Sequence, residues 1–213
     1  MSAIFLSEFA TPRKREIYKP TLEILSGIPT VVYGFFAAVT IAPVVVAFSN
    51  TLGIEASHSN ALSSGVVMGI MIIPIITSLS DDVIGAVPNH YRNGAISLGL
   101  TKAEMIRFVV LPAASHGIIA AVLLGISRAL GETMIVLMAA GMRPNLSLNP
   151  LDDMATITVT IVDAFSGDHG VTSDETLSAF ALGFALFVFT LMLNTVSIFF
   201  IRRFQKRYQY SNL

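Results

Sequence analysis

Four long apolar stretches constrain the fold of this chain more than any other feature. They cover roughly residues 25–48, 61–79, 113–141 and 177–201. A helix that crosses the hydrocarbon core of a bilayer needs about 20 mostly apolar residues, and each stretch approaches or exceeds that length. We therefore predict an all-α integral membrane protein with four complete transmembrane helices.

Composition supports the membrane assignment and narrows the function. Only 13% of the residues are charged, whereas ordinary soluble domains carry about 25%. The formal net charge of -1 argues against a nucleic-acid partner, whose binding would require neutralisation of phosphates. There is no cysteine, and the four histidines show no metal-ligand spacing, so we expect neither a metal nor a cofactor.

Motifs of ATP-binding chains and of hydrolases are absent from the sequence. It contains no GxxxxGK[ST] loop, which would hold the phosphates of a nucleotide, and neither a GxSxG nor an HExxH motif. We therefore expect no enzymatic activity in this chain. If ATP drives its function, a separate chain must hydrolyse it.

Basic residues between the spans indicate the orientation, because Lys and Arg in short loops remain cytoplasmic. They precede the first span, separate the second from the third and follow the last, as Arg13, Lys14, Arg15, Lys19, Arg92, Lys102, Arg107, Arg202, Arg203, Lys206 and Arg207. These are 11 of the 13 basic residues. The connection 49–60 has none, and the connection 142–176 has only Arg143 among six acidic residues. Both termini are therefore predicted to be cytoplasmic.

The predicted cytoplasmic connection between spans two and three, residues 80–112, is long and amphipathic. Its apolar residues near helical spacing are Ala95, Leu98, Met105 and Phe108. Thr101 followed by Glu104 forms a capping box that begins a new helix, and Gly99 permits the positive φ angle of a sharp turn. Pro112 is expected to close the segment where the next span begins. Such a helix-turn-helix suits a protein partner, or it simply connects two spans.

The same segment resembles the coupling loop of ABC importer permeases. The family motif is written EAA, three residues, G, nine residues, I, one residue and LP. The matching positions here are Asn93, Gly94, Ala95, Gly99, Val109, Leu111 and Pro112. The first two depart from Glu-Ala, and Val109 replaces Ile conservatively. The resemblance implies that an ATPase docks on this segment through Asn93, Gly94, Ala95, Gly99, Leu100, Thr101, Glu104, Leu111 and Pro112.

Two further stretches, IPTVVYGFF at 28–36 and SRALGETM at 127–134, resemble phosphate ABC-transporter permeases. The likeness is greatest to the C-type subunit of the phosphate-specific transport system and covers about residues 3–208. It implies a type I ABC importer permease fold in a single domain over residues 1–213. It also implies ATP-driven import of inorganic phosphate through the cell membrane of a bacterium or archaeon.

The resemblance implies partners as well. These are a second, homologous permease that completes a heterodimer, two copies of a cytoplasmic ABC ATPase and an extracytoplasmic phosphate-binding protein, and the chain itself is expected to contact membrane lipid. Permeases of this kind have six spans, so we expect the first helix and most of the second to be missing from this sequence. Residues 1–10 are then interpreted as the inner end of a helix that begins earlier.

Arg128 and Glu132 form a charged pair inside the third apolar stretch. Their i, i+4 spacing on one helix face would let them pair. A charge at mid-bilayer costs about 2.5 kcal/mol or more, so both should face the protein interior or a water-filled path. Arg128 could bind phosphate bidentately while Glu132 neutralises it between passages. Alternatively, the two form a salt bridge that sets the packing of the permease dimer.

Two hydroxyl residues, Ser127 and Thr133, flank this pair and complete the predicted substrate pathway. Each could donate a hydrogen bond to an oxyanion, or bond back to its own helix as Ser and Thr often do. Asn194 in the fourth span is expected to form a hydrogen bond between helices.

Three other functions fit parts of the pattern. The chain could be a permease for another oxyanion, since related importers share this physics. It could be an ion-coupled secondary transporter or channel that uses the Arg128–Glu132 pair, although no inverted repeat is evident. It could also be a purely structural membrane subunit.

Overall fold

The computed structural model describes residues 1–166 and 174–209, and within them all regular structure is helical. The α-helices, in chain order, are α1 (Ser2–Ile4), α2 (Pro12–Ser26), α3 (Thr30–Phe36), α4 (Ala42–Thr51), α5 (Ala61–Gly85), α6 (Asn89–Ser97), α7 (Lys102–Met105), α8 (Leu111–Leu130), α9 (Met134–Ala139), α10 (Ile157–Ser166) and α11 (Asp174–Gln209). Short π-helical turns occupy Phe5–Phe9, Ala37–Ile41 and Ile106–Val110. The all-α prediction is confirmed.

Helical runs long and apolar enough to cross a membrane number four in the described chain. They are Thr30–Thr51, Ala61–Gly85, Lys102–Leu130 and Asp174–Val196. Their number agrees with the sequence prediction, but every bound except residue 61 differs from it, and the third run begins at Lys102 instead of residue 113. The second run continues past residue 79 to Gly85, and the two aspartates near its end, Asp81 and Asp82, have basic partners. The third run ends at Leu130 and does not reach residue 141.

Pro112 does not close the connection 80–112, named the inner connection after its predicted cytoplasmic side, so that expectation was wrong. It is the second residue of α8 and lies inside the uninterrupted helical run Lys102–Leu130. Proline has no N–H to donate to the carbonyl four residues earlier. The π-helical turn Ile106–Val110 precedes it, and there the N–H of Leu111 donates to the carbonyl of Ile106. This change of bonding register is the usual mark of a π-helical turn.

The chain is organised as two compact units. The first comprises residues 1–26, 73–127 and the described residues from 193 onward, and the second comprises residues 27–72 and the described residues of 128–192. Helices α5, α8 and α11 therefore each contribute to both. A single transmembrane domain stays a prediction.

The core of the first unit lies around the inner connection. Its buried residues are Ala3, Ile84, Val87, Ala95, Met105, Ile106, Val110 and Ala114. They come from α1, from the end of α5 and the turn after it, from α6 and α7, from the π-helical turn Ile106–Val110, and from the start of α8. Burial of these apolar side chains therefore packs the helix-turn-helix at 80–112 onto the ends of two membrane helices.

The second unit has two smaller cores, both of which include α9. One consists of Ala37, Val67, Met71, Ile135 and Ala139. The other consists of Val136, Ala140 and Val159. Although α9 has only six residues, apolar contacts from three other helical segments surround it, so its packing stabilises the short helix.

Candidate functional site

The inner helix-turn-helix forms as the sequence predicts, with Gly99 at the turn. Gly99 has a φ angle of +86°, a conformation that L side chains rarely adopt. At the end of α6, the N–H of Leu98 donates to the carbonyl of Gly94 at 3.1 Å, and that of Leu100 donates to Ala95 at 3.2 Å. These bonds satisfy the last carbonyls of the helix. The chain then turns sharply into α7.

The capping box at the start of α7 is also confirmed. The backbone N–H of Thr101 donates to Glu104 Oε2 at 2.9 Å, and the N–H of Glu104 donates to Thr101 Oγ1 at 3.4 Å. Each residue thus satisfies a backbone donor of the other, as a capping box requires. The two helices of the inner connection therefore have well-defined ends on both sides of Gly99.

Exposure divides the apolar residues of this segment into two groups. Ala95 and Met105 are buried in the core, whereas Leu98 is 83% exposed and Phe108 is exposed. Helical spacing therefore did not place all four on one apolar face, because the turn at Gly99 ends one helix before the next begins. The predicted coupling residues that lie exposed are Asn93, Gly94, Gly99, Thr101, Glu104 and Pro112. Half-buried are Leu100 and Leu111.

Arg128 and Glu132 do not form the predicted helical pair. Helix α8 ends at Leu130, so only Arg128 is helical and lies in its last turn. Within the described residues, no ion pair of 4.0 Å or less joins the two side chains. Arg128 is exposed, while Glu132 is 7% exposed. The i, i+4 rule fails because a single α-helix does not continue through Gly131.

The carboxylate of Glu132 binds the start of α9 instead. Its Oε1 accepts the backbone N–H of Met134 at 3.1 Å and that of Ile135 at 3.3 Å. These N–H groups have no carbonyl partner within their own helix, and the negative charge suits the helix N-terminus. In addition, Thr158 Oγ1 on α10 donates to the carbonyl of Glu132 at 2.9 Å. Glu132 therefore holds together the break between α8 and α9.

The hydroxyl residues beside the pair have different environments. Ser127 Oγ on α8 donates to Asn194 Oδ1 on α11 at 3.1 Å, which confirms the expected interhelical hydrogen bond of Asn194. Thr133 precedes α9, and its side chain does not cap that helix. The hydroxyl of Ser127 thus forms an interhelical hydrogen bond. Glu132 and Thr133 lie in the break between α8 and α9 and do not share a helix face with Arg128.

Sequence reasoning missed a cluster of ion pairs at the C-terminal end of α5. Asp81 has no exposed side-chain surface, and its Oδ2 lies 2.8 Å from Arg15 Nη2. Lys19 Nζ lies 2.5 Å from Asp82 Oδ1. Two aspartates directly after an apolar stretch, and two basic residues four apart on α2, were the available signal. Their separation in the sequence gave no reason to pair them.

The connection 142–176, which is predicted to be extracytoplasmic, is only partly within the described chain. Its acidic residue Asp168 lies outside the described residues, as do the side chains of Arg202, Arg203, Lys206 and Arg207. Among the residues that the structure describes, no group of three or more His, Cys, Asp or Glu side chains could hold a metal ion.

Comparison with known families agrees with this architecture. The family described as "Binding-protein-dependent transport system inner membrane component" matches residues 2–210. That match covers nearly the whole chain, including the inner helix-turn-helix and all four apolar helical runs.

Curated relatives include permeases of named transport systems. The probable ABC transporter permease protein YqgH of Bacillus subtilis is 35% identical over 190 residues, which are 89% of this chain and 60% of the relative. The phosphate transport system permease protein PstC of Mesorhizobium japonicum is 32% identical over 220 residues, which are 96% of this chain and 67% of the relative. For the phosphate transport system permease protein PstC 1 of Mycobacterium tuberculosis, the values are 36% over 221 residues, 95% and 65%.

The chain spans 60% to 67% of the length of these relatives. A family match over almost all of its residues, four apolar helical runs and an inner helix-turn-helix agree with one another. The chain therefore belongs to the family of binding-protein-dependent transport system inner membrane components, multi-pass membrane proteins with the type I ABC importer permease fold.

Proposed function

We propose that this chain is a permease subunit of an ATP-driven importer that carries inorganic phosphate across the inner membrane. The observation that carries the proposal is the family match together with relatives that are phosphate transport system permeases. The separation of the chain into membrane helices and a defined inner helix-turn-helix supports it. Hydrolysis of ATP takes place on a different chain.

The proposed assembly follows from the same relationship. A second, homologous permease completes a heterodimer, two copies of an ABC ATPase bind on the cytoplasmic side, and a phosphate-binding protein delivers the solute from outside. The distribution of basic residues supports cytoplasmic termini. Most Lys and Arg lie before the first span, between the second and third spans, and after the fourth span. The membrane is that of a bacterium or archaeon, and the whole chain forms one permease domain.

The inner helix-turn-helix is the proposed docking site for the ATPase. Its exposed residues Asn93, Thr101 and Glu104 surround the turn, and Leu98 projects from it with 83% of its surface exposed. An exposed apolar side chain within a polar rim is a common arrangement at protein interfaces. On the opposite side, Ala95 and Met105 are buried against the membrane helices. Movement of the ATPase would thus be transmitted to the ends of the spans.

Arg128 is the proposed phosphate contact in the pathway. It is exposed on a membrane-spanning run and forms no ion pair with Glu132, so its positive charge is free to meet an anion or a group of the second permease. A guanidinium presents its N–H donors in a fork that matches phosphate oxygens. Glu132 has the separate role of positioning the break after α8, and the secondary-transporter hypothesis loses the pair on which it rested. Thr133 and Ser127 remain candidates for hydrogen bonds along the path.

To test the proposal, the chain is co-expressed with its genomic neighbours, and the purified complex is reconstituted in liposomes with the binding protein. Phosphate-stimulated ATP hydrolysis and phosphate uptake are then measured. Arg128→Ala should abolish uptake, and Arg128→Lys should retain part of it because the charge remains without the fork. Uptake equal to wild type in Arg128→Ala would refute the pathway role. Failure of any ATPase to co-purify would refute the importer proposal itself.

Gly99 tests the coupling role in the same assay. Gly99→Val should uncouple ATP hydrolysis from uptake while the complex still purifies, because valine is strained at a φ of +86°. Gly53→Val is the matched control, since Gly53 also has a positive φ, of +71°, with open space around it, but lies in the connection 49–60. Equal effects of the two substitutions would show that backbone strain alone, and not the coupling turn, is responsible.

The solute is tested by competition. Molybdate and sulfate, added in excess, should leave phosphate uptake unchanged if the site is matched to phosphate. Preferential uptake of either anion would identify a permease for another oxyanion.

A further inference from the structure

Glu8 lies outside the helix-turn-helix, and side chains from both helices of that segment, α6 and α7, bind it. Arg92 on α6 donates to Glu8 Oε1 from Nε at 3.2 Å and from Nη2 at 2.9 Å. Lys102 at the start of α7 donates from Nζ to the backbone carbonyl of Glu8 at 2.5 Å, and its ammonium lies 4.7 Å from the centre of the Phe9 ring. The two helices on either side of Gly99 thus meet on one residue.

The ion pair between Glu8 and Arg92 lies largely away from solvent. The side chain of Glu8 is 7% exposed and that of Arg92 is 15% exposed. Removal of either partner of a buried pair is strongly destabilising, because it leaves an uncompensated charge away from water. The contact between α6 and the segment Phe5–Phe9 therefore includes a buried ion pair that is costly to break.

Arg92 also bonds to the end of a membrane helix. Its Nη2 donates to the carbonyl of Ile84 at 2.8 Å, and its Nη1 donates to the carbonyl of Val87. The first of these carbonyls belongs to the last turn of α5, where carbonyls lack partners within the helix. A single guanidinium therefore joins α6, the inner end of α5 and the segment that contains Glu8.

We propose that Glu8, held by Arg92 and Lys102, is the positioning residue that makes the coupling segment and residues 2–9 move as one body. The inference rests on the proposed function, since the moving force is the ATPase that docks at 89–105. When the ATPase displaces α6 and α7, the bonds to Glu8 transfer that displacement to the amino-terminal segment, and the bond to Ile84 transfers it to α5. Neither Glu8 nor Arg92 needs to touch the ATPase or phosphate.

The functional test is the number of phosphate ions taken up per ATP hydrolysed by the purified complex in liposomes. Glu8→Ala and Arg92→Ala should each lower this ratio at least tenfold while ATP hydrolysis continues. The double substitution should be no worse than Arg92→Ala alone, because Arg92→Ala already removes the contact with Glu8 together with the bonds to Ile84 and Val87. Matched controls are Glu16→Ala and Arg13→Ala, which remove like charges from exposed positions on α2 and should leave the ratio unchanged.

A purely structural role is distinguished by two conservative variants. Glu8→Gln retains an acceptor oxygen, and Arg92→Lys retains the charge without the fork, so each should give an intermediate ratio in complexes of normal abundance. These variants also serve if Glu8→Ala fails to assemble. A fall in abundance with an unchanged ratio per complex would overturn the proposal.

A second measurement does not depend on phosphate transport. The chain has no cysteine, so spin labels can be attached to Ser2→Cys and Ser97→Cys, both at exposed positions. The distance between the labels should show one narrow distribution, which Glu8→Ala broadens and Glu16→Ala does not. If Glu8→Ala leaves the distribution narrow, the proposal is wrong. If instead the wild-type complex shows no phosphate-dependent ATP hydrolysis, the proposed function fails, and the label distances still decide whether Glu8 joins the two segments.

Discussion

At the residue scale, the carboxylate of Glu132 determines how the chain continues after α8. It accepts two backbone N–H groups at the start of α9 and is 7% exposed. Buried N–H groups left without a partner would each be costly. The charge of Glu132 is thus used within its own segment, and Arg128 is left to other partners.

Removal of this carboxylate should destabilise the protein. We expect Glu132→Ala to lower the free energy of unfolding by about 1–2 kcal/mol, as for loss of a helix cap or of a buried hydrogen-bond acceptor. Glu132→Gln should cost less because it retains an acceptor oxygen. The helical signal in far-UV circular dichroism, followed against temperature in detergent, measures the effect.

Thr133→Ala provides the control at the neighbouring position, since the Thr133 side chain does not cap α9. It should leave the unfolding midpoint almost unchanged. A midpoint for Glu132→Ala equal to that of Thr133→Ala would contradict the capping role of Glu132.

At the scale of elements, α3 and α9 approach each other closely at Gly34. A Cβ atom added to Gly34 would lie 2.9 Å from the carbonyl oxygen of Met134 and 2.9 Å from the sulfur of Met138. The methionine side chain can move, but the backbone oxygen cannot move without shifting α9. The close packing of α3 against α9 therefore requires a residue without a side chain at Gly34, the glycine of the IPTVVYGFF stretch.

Gly34→Ala should destabilise the protein by about 1–3 kcal/mol, the usual cost of overpacking. Gly69→Ala on α5 is the control, because nothing in the described chain lies within 4 Å of the added methyl group; it should be neutral or slightly stabilising, since alanine favours helix over glycine. Thermal unfolding in detergent compares the two. Equal midpoints for both variants would show that α9 adjusts freely.

At the scale of the whole molecule, the connections between spans should alternate between the two sides of the membrane. The inner helix-turn-helix contains basic residues, and the connection between α9 and α10 contains Asp152, Asp153 and only one arginine. This asymmetry predicts that the two connections lie in different compartments.

Single cysteines test that orientation directly, because the chain has none of its own. Leu146→Cys lies at a fully exposed position of the predicted outer connection. It should react with a membrane-impermeant maleimide in cells whose outer envelope is permeable to the reagent while the inner membrane is intact. Ser97→Cys, at an exposed position of the inner connection, should react only after the inner membrane is permeabilised. Reaction of both variants from the same side would overturn the predicted orientation.

Much of the element structure could be predicted because it depends on neighbours in the sequence. Apolar runs of about 20 residues identified the four spans, and residues three apart identified the capping box of Thr101 and Glu104. Gly99 takes the positive φ angle that the turn requires. Each of these features involves bonds or periodicity within a few residues, which a sequence displays directly.

The same local reasoning failed where it assumed a helix that does not continue. The i, i+4 rule paired Arg128 with Glu132 only because the apolar run extended to residue 141. The chain instead breaks after Leu130, where the carboxylate of Glu132 bonds to the next helix. At Pro112 the error was the reverse, because a helix end was predicted where the helix continues. The π-helical turn before Pro112 precedes an uninterrupted helix that includes the proline.

What the sequence by itself determined is thus the membrane class, the number of spans, their predicted orientation and the local form of the inner connection. Only the tertiary structure decided which charged and polar groups far apart in the sequence meet. Arg92 and Glu8 are 84 residues apart, Arg15 and Asp81 are 66 apart, and Thr158 reaches the carbonyl of Glu132 from 26 residues away. Contacts at such separations depend on how whole helices pack, because each side chain has many possible partners until packing brings one within hydrogen-bonding distance.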